Sequence, residues 1–301
     1  VDPLALGFIV LAAVLHAAWN ILLKTAGDPL LTAAFGIAVA SAALVPAVAA
    51  GWLVLGRPEI PPEAWLVGVV SGGVEVAYFV FLAAAYRRGD LSLVYPLARG
   101  SAPLLAIVLG VGVLGERLPP EATVGVVLLL AGLLTVQRPW NLLRAAAAHD
   151  RPAAGFALLT GAMIATYSAL DRVGVQLAPS WFYAGILWPT CAVGLGLVIL
   201  ARSRLGTAAS AVGMPIATPP LARGRAAGAG FLTFGAYAFV LAALSRAPLA
   251  IVAPLRESAV LLASTWGVVR LGEGAGRREV AFRVAGAVLV LVGASVLAIA
   301  R

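Results

Sequence analysis

Residues 91–116 read LSLVYPLARGSAPLLAIVLGVGVLGE, and residues 249–273 read LAIVAPLRESAVLLASTWGVVRLGE. Each is an apolar block of the length, roughly 20 residues, that crosses the hydrocarbon core of a bilayer. Each carries a proline early in the block and an arginine just after it, and each stops at Leu-Gly-Glu. Val94-Tyr95-Pro96-Leu97 aligns with Val252-Ala253-Pro254-Leu255, and Leu114-Gly115-Glu116 with Leu271-Gly272-Glu273, with one gap between the two pairs. Upstream, Gly7-Phe8 and the run Ala17-Ala18-Trp19-Asn20-Ile21-Leu22-Leu23-Lys24 match Gly155-Phe156 and Ala165-Thr166-Tyr167-Ser168-Ala169-Leu170-Asp171-Arg172 without a gap. Apolar matches alone carry no weight in such a sequence. An aromatic, a basic span end, a proline and a Gly-Glu stop recurring in the same order mark an internal repeat.

The rest of the chain has the same character. Of its 301 residues, 62% are hydrophobic and only 11% charged, and mean hydropathy is +1.01; a soluble domain carries about twice that charge. Charge and turn residues divide the chain into ten spans, near residues 4–23, 30–55, 64–86, 91–114, 121–136, 153–170, 180–201, 226–245, 249–271 and 280–300. The first block is too long, and lacks the basic leader, to be read as a signal peptide. The net charge of +8 comes from arginines set singly or in pairs between apolar blocks, which reads as headgroup anchoring rather than nucleic-acid binding. Cys191, alone, can form no internal disulfide, and with His16 and His149 far apart no metal site or cofactor is expected.

The expected fold is therefore an all-α membrane protein. Ten transmembrane helices form two five-helix repeats, residues 1–137 and 153–301, joined by a connecting segment, 138–152. Because five is odd, the second repeat enters the membrane from the opposite side. The halves become an inverted repeat around a central cavity, the architecture of a secondary transporter. With the N-terminus inside, five basic residues outside the spans face inward and fourteen outward, which favours the opposite orientation.

Ten spans in two repeats, each with a proline in the fourth span and a Leu-Gly-Glu at its end, resemble the drug/metabolite transporter superfamily, and within it the EamA-type bacterial exporters. The resemblance implies a multi-pass inner-membrane exporter, not an enzyme, with termini in the cytoplasm, and extends to exporters of aromatic amino acids. One departure concerns the small four-span multidrug members, which use a glutamate in the first span; here no acid lies between Asp2 and Asp28. Proton-coupled efflux of lipophilic cations is disfavoured accordingly.

Charges inside spans are costly and mark functional sites by default. Glu75, Arg99, Arg256 and Glu257 are the four, the last three just past Pro96 and Pro254, the expected hinges. They either bridge one another structurally or bind cargo. Two positive and two negative groups suit a zwitterion, an arginine fork taking a carboxylate and a glutamate an ammonium. His16, Trp19 and Asn20 share a face of the first span, and Tyr78 shares one with Glu75. With Tyr95, Tyr167 and Tyr237 they would line a cavity favouring an aromatic or large apolar amino acid. Other metabolites, such as a phosphate ester, nucleotide sugar or drug-like cation, are the alternative cargo, and a membrane-embedded enzyme or scaffold the alternative class. His16 or Glu75 are the candidates for carrying protons. The expected partners are the lipid bilayer and the cargo, with the chain a monomer or weak homo-oligomer. The Gly-Glu stops are expected to be wet helix ends, and Gly68, Gly72, Gly73, Gly125, Gly132, Gly286 and Gly293 to be packing positions.

Overall fold

The computed structural model describes residues 2–24, 28–89, 91–137, 151–204, 223–257 and 277–299. Most of the connecting segment, the stretch 205–222, the remainder of the ninth span from residue 258, and Glu273 lie outside the described residues. The described chain is all-helical: α1 Pro3–Lys24, α2 Pro29–Val54, α3 Pro62–Tyr86, α4 Leu91–Ile107, α5 Pro120–Gln137, α6 Arg151–Leu177, α7 Ser180–Arg204, α8 Arg223–Leu244, α9 Leu249–Glu257 and α10 Arg277–Ile299. Six of these segments are long and apolar enough to cross a membrane by length and composition. Shorter apolar stretches lie in α1, α5 and α10.

Helix starts follow local chemistry. α2, α3 and α5 begin at prolines, whose missing N–H would have no partner in a first turn. α2 is also capped by Asp28, which accepts from the amides of Leu30 and Leu31. α4 passes through Pro96 and Pro103 without ending and continues as a wider π-turn, Val108–Val113. α6 runs seven residues past the expected end of the sixth span at Leu170. Asp171 and Arg172 are therefore interior to a helix rather than its terminus.

The packing joins the first five helices to the second five. α1 packs on α8, α2 on α7 and α8, α3 on α6 and α7, α4 on α6 and α9, and α5 on α10. Adding five to each label turns α1/α8 into α6/α3 and α2/α8 into α7/α3, so the pairs map onto each other. Close contacts give the directions. Gly36 meets Gly230, Gly72 meets Leu187 and Thr190, and Gly125 and Gly132 meet Gly293 and Gly286. With Gly68 against Ile186, α3/α7 thus run parallel and α5/α10 antiparallel. We call proximal the face on which α1 begins, where Asp2 pairs with Arg246 at 2.9 Å. On the distal face Asp28 approaches Arg202 and Arg88 lies over the Phe156 ring.

Small residues permit these crossings, because association within lipid depends on backbones approaching closely. A Cβ on Gly230 would fall 2.0 Å from the Gly36 carbonyl oxygen, whereas one on Gly73 would meet nothing within 4 Å. Gly73 is thus not a packing position, because its Cα faces away from every neighbouring helix. Gly230→Val is expected to destroy the monodisperse peak in size-exclusion chromatography. Gly73→Ala should leave the melting temperature unchanged or raised, by up to about 1 kcal/mol of helix propensity.

Candidate functional site: a buried charge cluster beneath a distal cleft

α4 and α9 bring the three post-proline charges together. Arg99 Nη1 donates to both oxygens of Glu257 at 3.1 and 3.3 Å, and Arg256 Nε donates to the same carboxylate at 3.2 Å. Arg256 also reaches Ser168 of α6 at 3.3 Å. All nine residues of α9 are buried, and the Arg99 side chain is 11% exposed. One carboxylate thus serves two guanidinium groups, which leaves the trio with an excess positive charge. Pro96 and Pro254 lie one turn before this cluster and withhold the backbone N–H that would bond the carbonyl four residues earlier.

Arg99 also borders open space. A narrow cleft, with about 10 Å³ of room for water-sized molecules, is lined by Tyr78, Leu82, Tyr86, Tyr95, Ala98, Arg99, Thr160 and Ile164. Its walls are α3, α4 and α6, and Tyr86, the last residue of α3, places its mouth toward the distal face. The Arg99 guanidinium carbon lies 5.8 Å from the centroid of the Tyr95 ring, within cation–π range.

A second polar group lies on the proximal side. Asp171 is fully buried and accepts three hydroxyl hydrogen bonds, from Ser71 of α3, Tyr183 of α7 at 2.9 Å, and Tyr237 of α8. Gly174 makes this possible, since a Cβ there would collide with the Tyr183 ring. Glu75, one turn beyond Ser71 and 5% exposed, lies near the thiol of Cys191. Among the described residues neither carboxylate has an ion pair.

The anticipated residues fall into separate places. Tyr78, Tyr95 and Arg99 line the cleft. Arg256 and Glu257 lie behind it. Tyr167 continues the aromatic row from Tyr78 to Tyr237, with edge-on ring centroids 5.8 and 5.7 Å apart, but lines no part of the cleft. Tyr237 turns its hydroxyl to Asp171, and its ring neighbours Trp188, a buried residue that sequence reading passed over. His16 is part-buried and bonds through Nδ1 to the Ala12 carbonyl at 3.1 Å. The side chains of Trp19 and Asn20 lie outside those described. Asp171 was legible only as a span end because Arg172 follows it. Its spacing from Tyr167 and Gly174, at i−4 and i+3, puts all three on one helix face.

Glu116 corrects an expectation. Its carboxylate is not a wet helix end; the side chain is 7% exposed and ties three helices together at the proximal face. It accepts the amides of Leu249 and Ala250 at 2.7 and 3.0 Å, capping α9, and pairs with Arg172 of α6 at 3.2 Å. Arg172 in turn donates to the carbonyl of Leu244 at the end of α8. Local sequence explains the reach. Gly115 takes a positive φ of 66°, Glu116 N–H returns to the Gly110 carbonyl at 2.9 Å, and Gly110 leaves space where a Cβ would lie 2.6 Å from the carboxylate. A helix N-terminus favours a carboxylate both by hydrogen bonding and by its dipole.

With the geometry in place, comparison with known proteins is informative. Residues 3–137 match the model of the EamA-like transporter family. These residues are similar to that family over somewhat less than half of the chain. Over 70 residues the chain is 36% identical to spermidine export protein MdtI from Salmonella paratyphi B (strain ATCC BAA-1250 / SPB7) and from Salmonella newport (strain SL254), covering 23% of this chain. The chain spans 64% of the length of these curated relatives. A solved crystal structure superposes with a TM-score of 0.69 at 20% identity, covering 98% of this chain and 97% of that one, so the whole chain shares its fold. The six long apolar segments make the chain a multi-pass membrane protein.

Removing the Glu116 charge should loosen the proximal face. Glu116→Gln is expected to raise the rate of maleimide labelling of Cys191, which is fully buried. The rise should be roughly tenfold or more, given about 1.5–3 kcal/mol for a charged hydrogen bond. An unchanged rate would show that the Glu116 ties do not hold this face shut.

Proposed function

We propose that the chain is a secondary transporter that exports small zwitterionic metabolites, foremost amino acids with an aromatic or large apolar side chain, by alternating access. The observation that carries this reading is the charge arrangement at the cleft. Arg99 lines it among three tyrosines while sharing the Glu257 carboxylate with Arg256. A cargo carboxylate arriving beside Arg99 would supply the missing negative charge in a bidentate geometry that guanidinium favours. Glu75, buried and in no ion pair among the described residues, would take the ammonium, and Tyr78 and Tyr95 would flank the side chain.

The helix pairing supports an inverted two-fold repeat of residues 1–137 and 153–301, since corresponding helices α5 and α10 run antiparallel and the remaining pairs exchange under the same relation. Opening on the distal side and polar closure on the proximal side fit one end state of such a cycle. The arginine-rich span ends fall on the distal side, which the positive-inside rule would place in the cytoplasm of an inner-membrane protein. The cleft would then be a loading state for export.

A second reading has its own support. The similarity to spermidine exporters and the carboxylates Glu75 and Asp171, in no ion pair among the described residues, suit a polyamine cargo. Counterflow in proteoliposomes separates the two. Tryptophan and phenylalanine are expected to exchange, with spermidine, phosphate esters and quaternary amines exchanging poorly; exchange of spermidine alone would favour the polyamine. Arg99→Ala and Glu75→Gln should each abolish amino-acid exchange. Arg99→Ala should stay monodisperse, because Glu257 keeps Arg256 as its partner. Tyr78→Ala should reduce tryptophan flux more than alanine flux. Full exchange in both charge variants would refute the site.

A further inference from the structure

Among the described residues at the distal end of the α2/α3/α7 junction, positive charge outweighs negative charge. Asp28 is the carboxylate there, and its Oδ1 already accepts the amides of Leu30 and Leu31 at 2.9 and 3.1 Å. Its Oδ2 lies 3.9 Å from Nη2 of Arg202, at the outer limit of an ion pair. Arg202, in the last turn of α7, is only 19% exposed, and its Nη1 is buried with no hydrogen-bond partner. Arg87, the first residue past α3, is exposed and lies within reach of that charge. Partial burial, followed by the charges of Arg202 and Arg88, holds the Arg87 guanidinium below its ordinary range, and Asp28 opposes them least. Arg88 is engaged elsewhere, donating to the Ala84 carbonyl at 3.1 Å and lying over the Phe156 ring.

A guanidinium carries five N–H donors, and leaving a buried one unmade is costly. The Arg202 fork, its buried Nη1 short of an acceptor and the exposed Arg87 beside it, calls for an acceptor-rich anion. The position is the end of a membrane-spanning bundle, at the depth where phosphate headgroups lie. A phosphate oxygen set can accept from both forks at once, as a single carboxylate cannot.

We propose that Arg87 and Arg202 form a binding site for the phosphate of an anionic phospholipid at the distal end of the α2/α3/α7 junction. The lipid would tie α7, from the second half of the chain, to α2 and α3 from the first. The site is remote from the cleft and does not depend on the identity of the cargo.

The test uses the full chain in nanodiscs of phosphatidylcholine with and without phosphatidylglycerol. Phosphatidylglycerol should raise the wild-type melting temperature by about 2–4 °C, the shift that roughly one interaction of this kind produces in a chain of this size. Arg202→Gln and Arg87→Gln should lose the rise, while Arg204→Gln, exposed in the same turn as Arg202, should keep it. Native mass spectrometry of wild type should retain phosphatidylglycerol in preference to phosphatidylcholine; this readout stands even where a variant fails to fold. An identical melting temperature in both lipids, or equal loss in Arg204→Gln, overturns the proposal. So does inorganic phosphate reproducing the rise in phosphatidylcholine alone, since the occupant is then a free anion.

Discussion

Glu257 is the carboxylate on which the centre of this bundle depends. Two guanidinium groups buried among apolar helices would each cost several kcal/mol without a counter-charge. Glu257 answers both, and in doing so pins α9 to α4 across 158 residues of sequence. The neighbours are arranged around that shared ion. Ser168 takes the remaining reach of Arg256, Tyr95 packs against the Arg99 guanidinium, and the open cleft lies on the side where Arg99 is least enclosed. Because one acid serves two bases, the cluster is stable enough to persist and yet short of neutrality.

The polar groups form a file through the bundle. From the distal mouth it passes Tyr86 and Tyr95, then Arg99, Glu257 and Arg256. It continues through Asp171 with its three hydroxyl donors and ends at Arg172 and Glu116. Asp171 and Arg172 are consecutive, so one turn of α6 presents its carboxylate to α3, α7 and α8 and its guanidinium to the proximal tie. A shift of that turn would be felt at both places, since neither side chain has slack in its partners.

Much of this was legible in the residues. Apolar block length and the repeat of a proline closely followed by arginine, with Leu-Gly-Glu, gave the helical class, the approximate spans and the coming together of Arg99, Arg256 and Glu257, because charges in hydrocarbon have few alternatives to one another. What escaped reading was side-chain direction over long range. Asp171 beside Arg172 looked like a helix end, and only the continuation of α6 to Leu177 shows it to be interior. Tyr237 was grouped with the cavity aromatics, but its hydroxyl belongs to Asp171. Glu116 looked solvated because Gly-Glu is ordinary helix-stop chemistry; its role depends on a helix start 133 residues away. Trp188 carries no signal of its own in an apolar span.

The cap that Glu116 provides has a bearing on how the chain is made. Leu249 follows a proline, and the segment that begins α9 has no Ser, Thr, Asp or Asn at its threshold to satisfy the first amides. The missing acceptor is supplied by a residue synthesised long before, at the end of α4. As translation proceeds from the N-terminus, the acceptor is already in the bilayer when α9 emerges, so the later half inserts against a template laid down by the earlier one. The spelling Gly-x-x-x-Leu-Gly-Glu at residues 110–116 recurs at 267–273. The first copy thus serves a helix not yet made, an order of assembly that the linear sequence conceals.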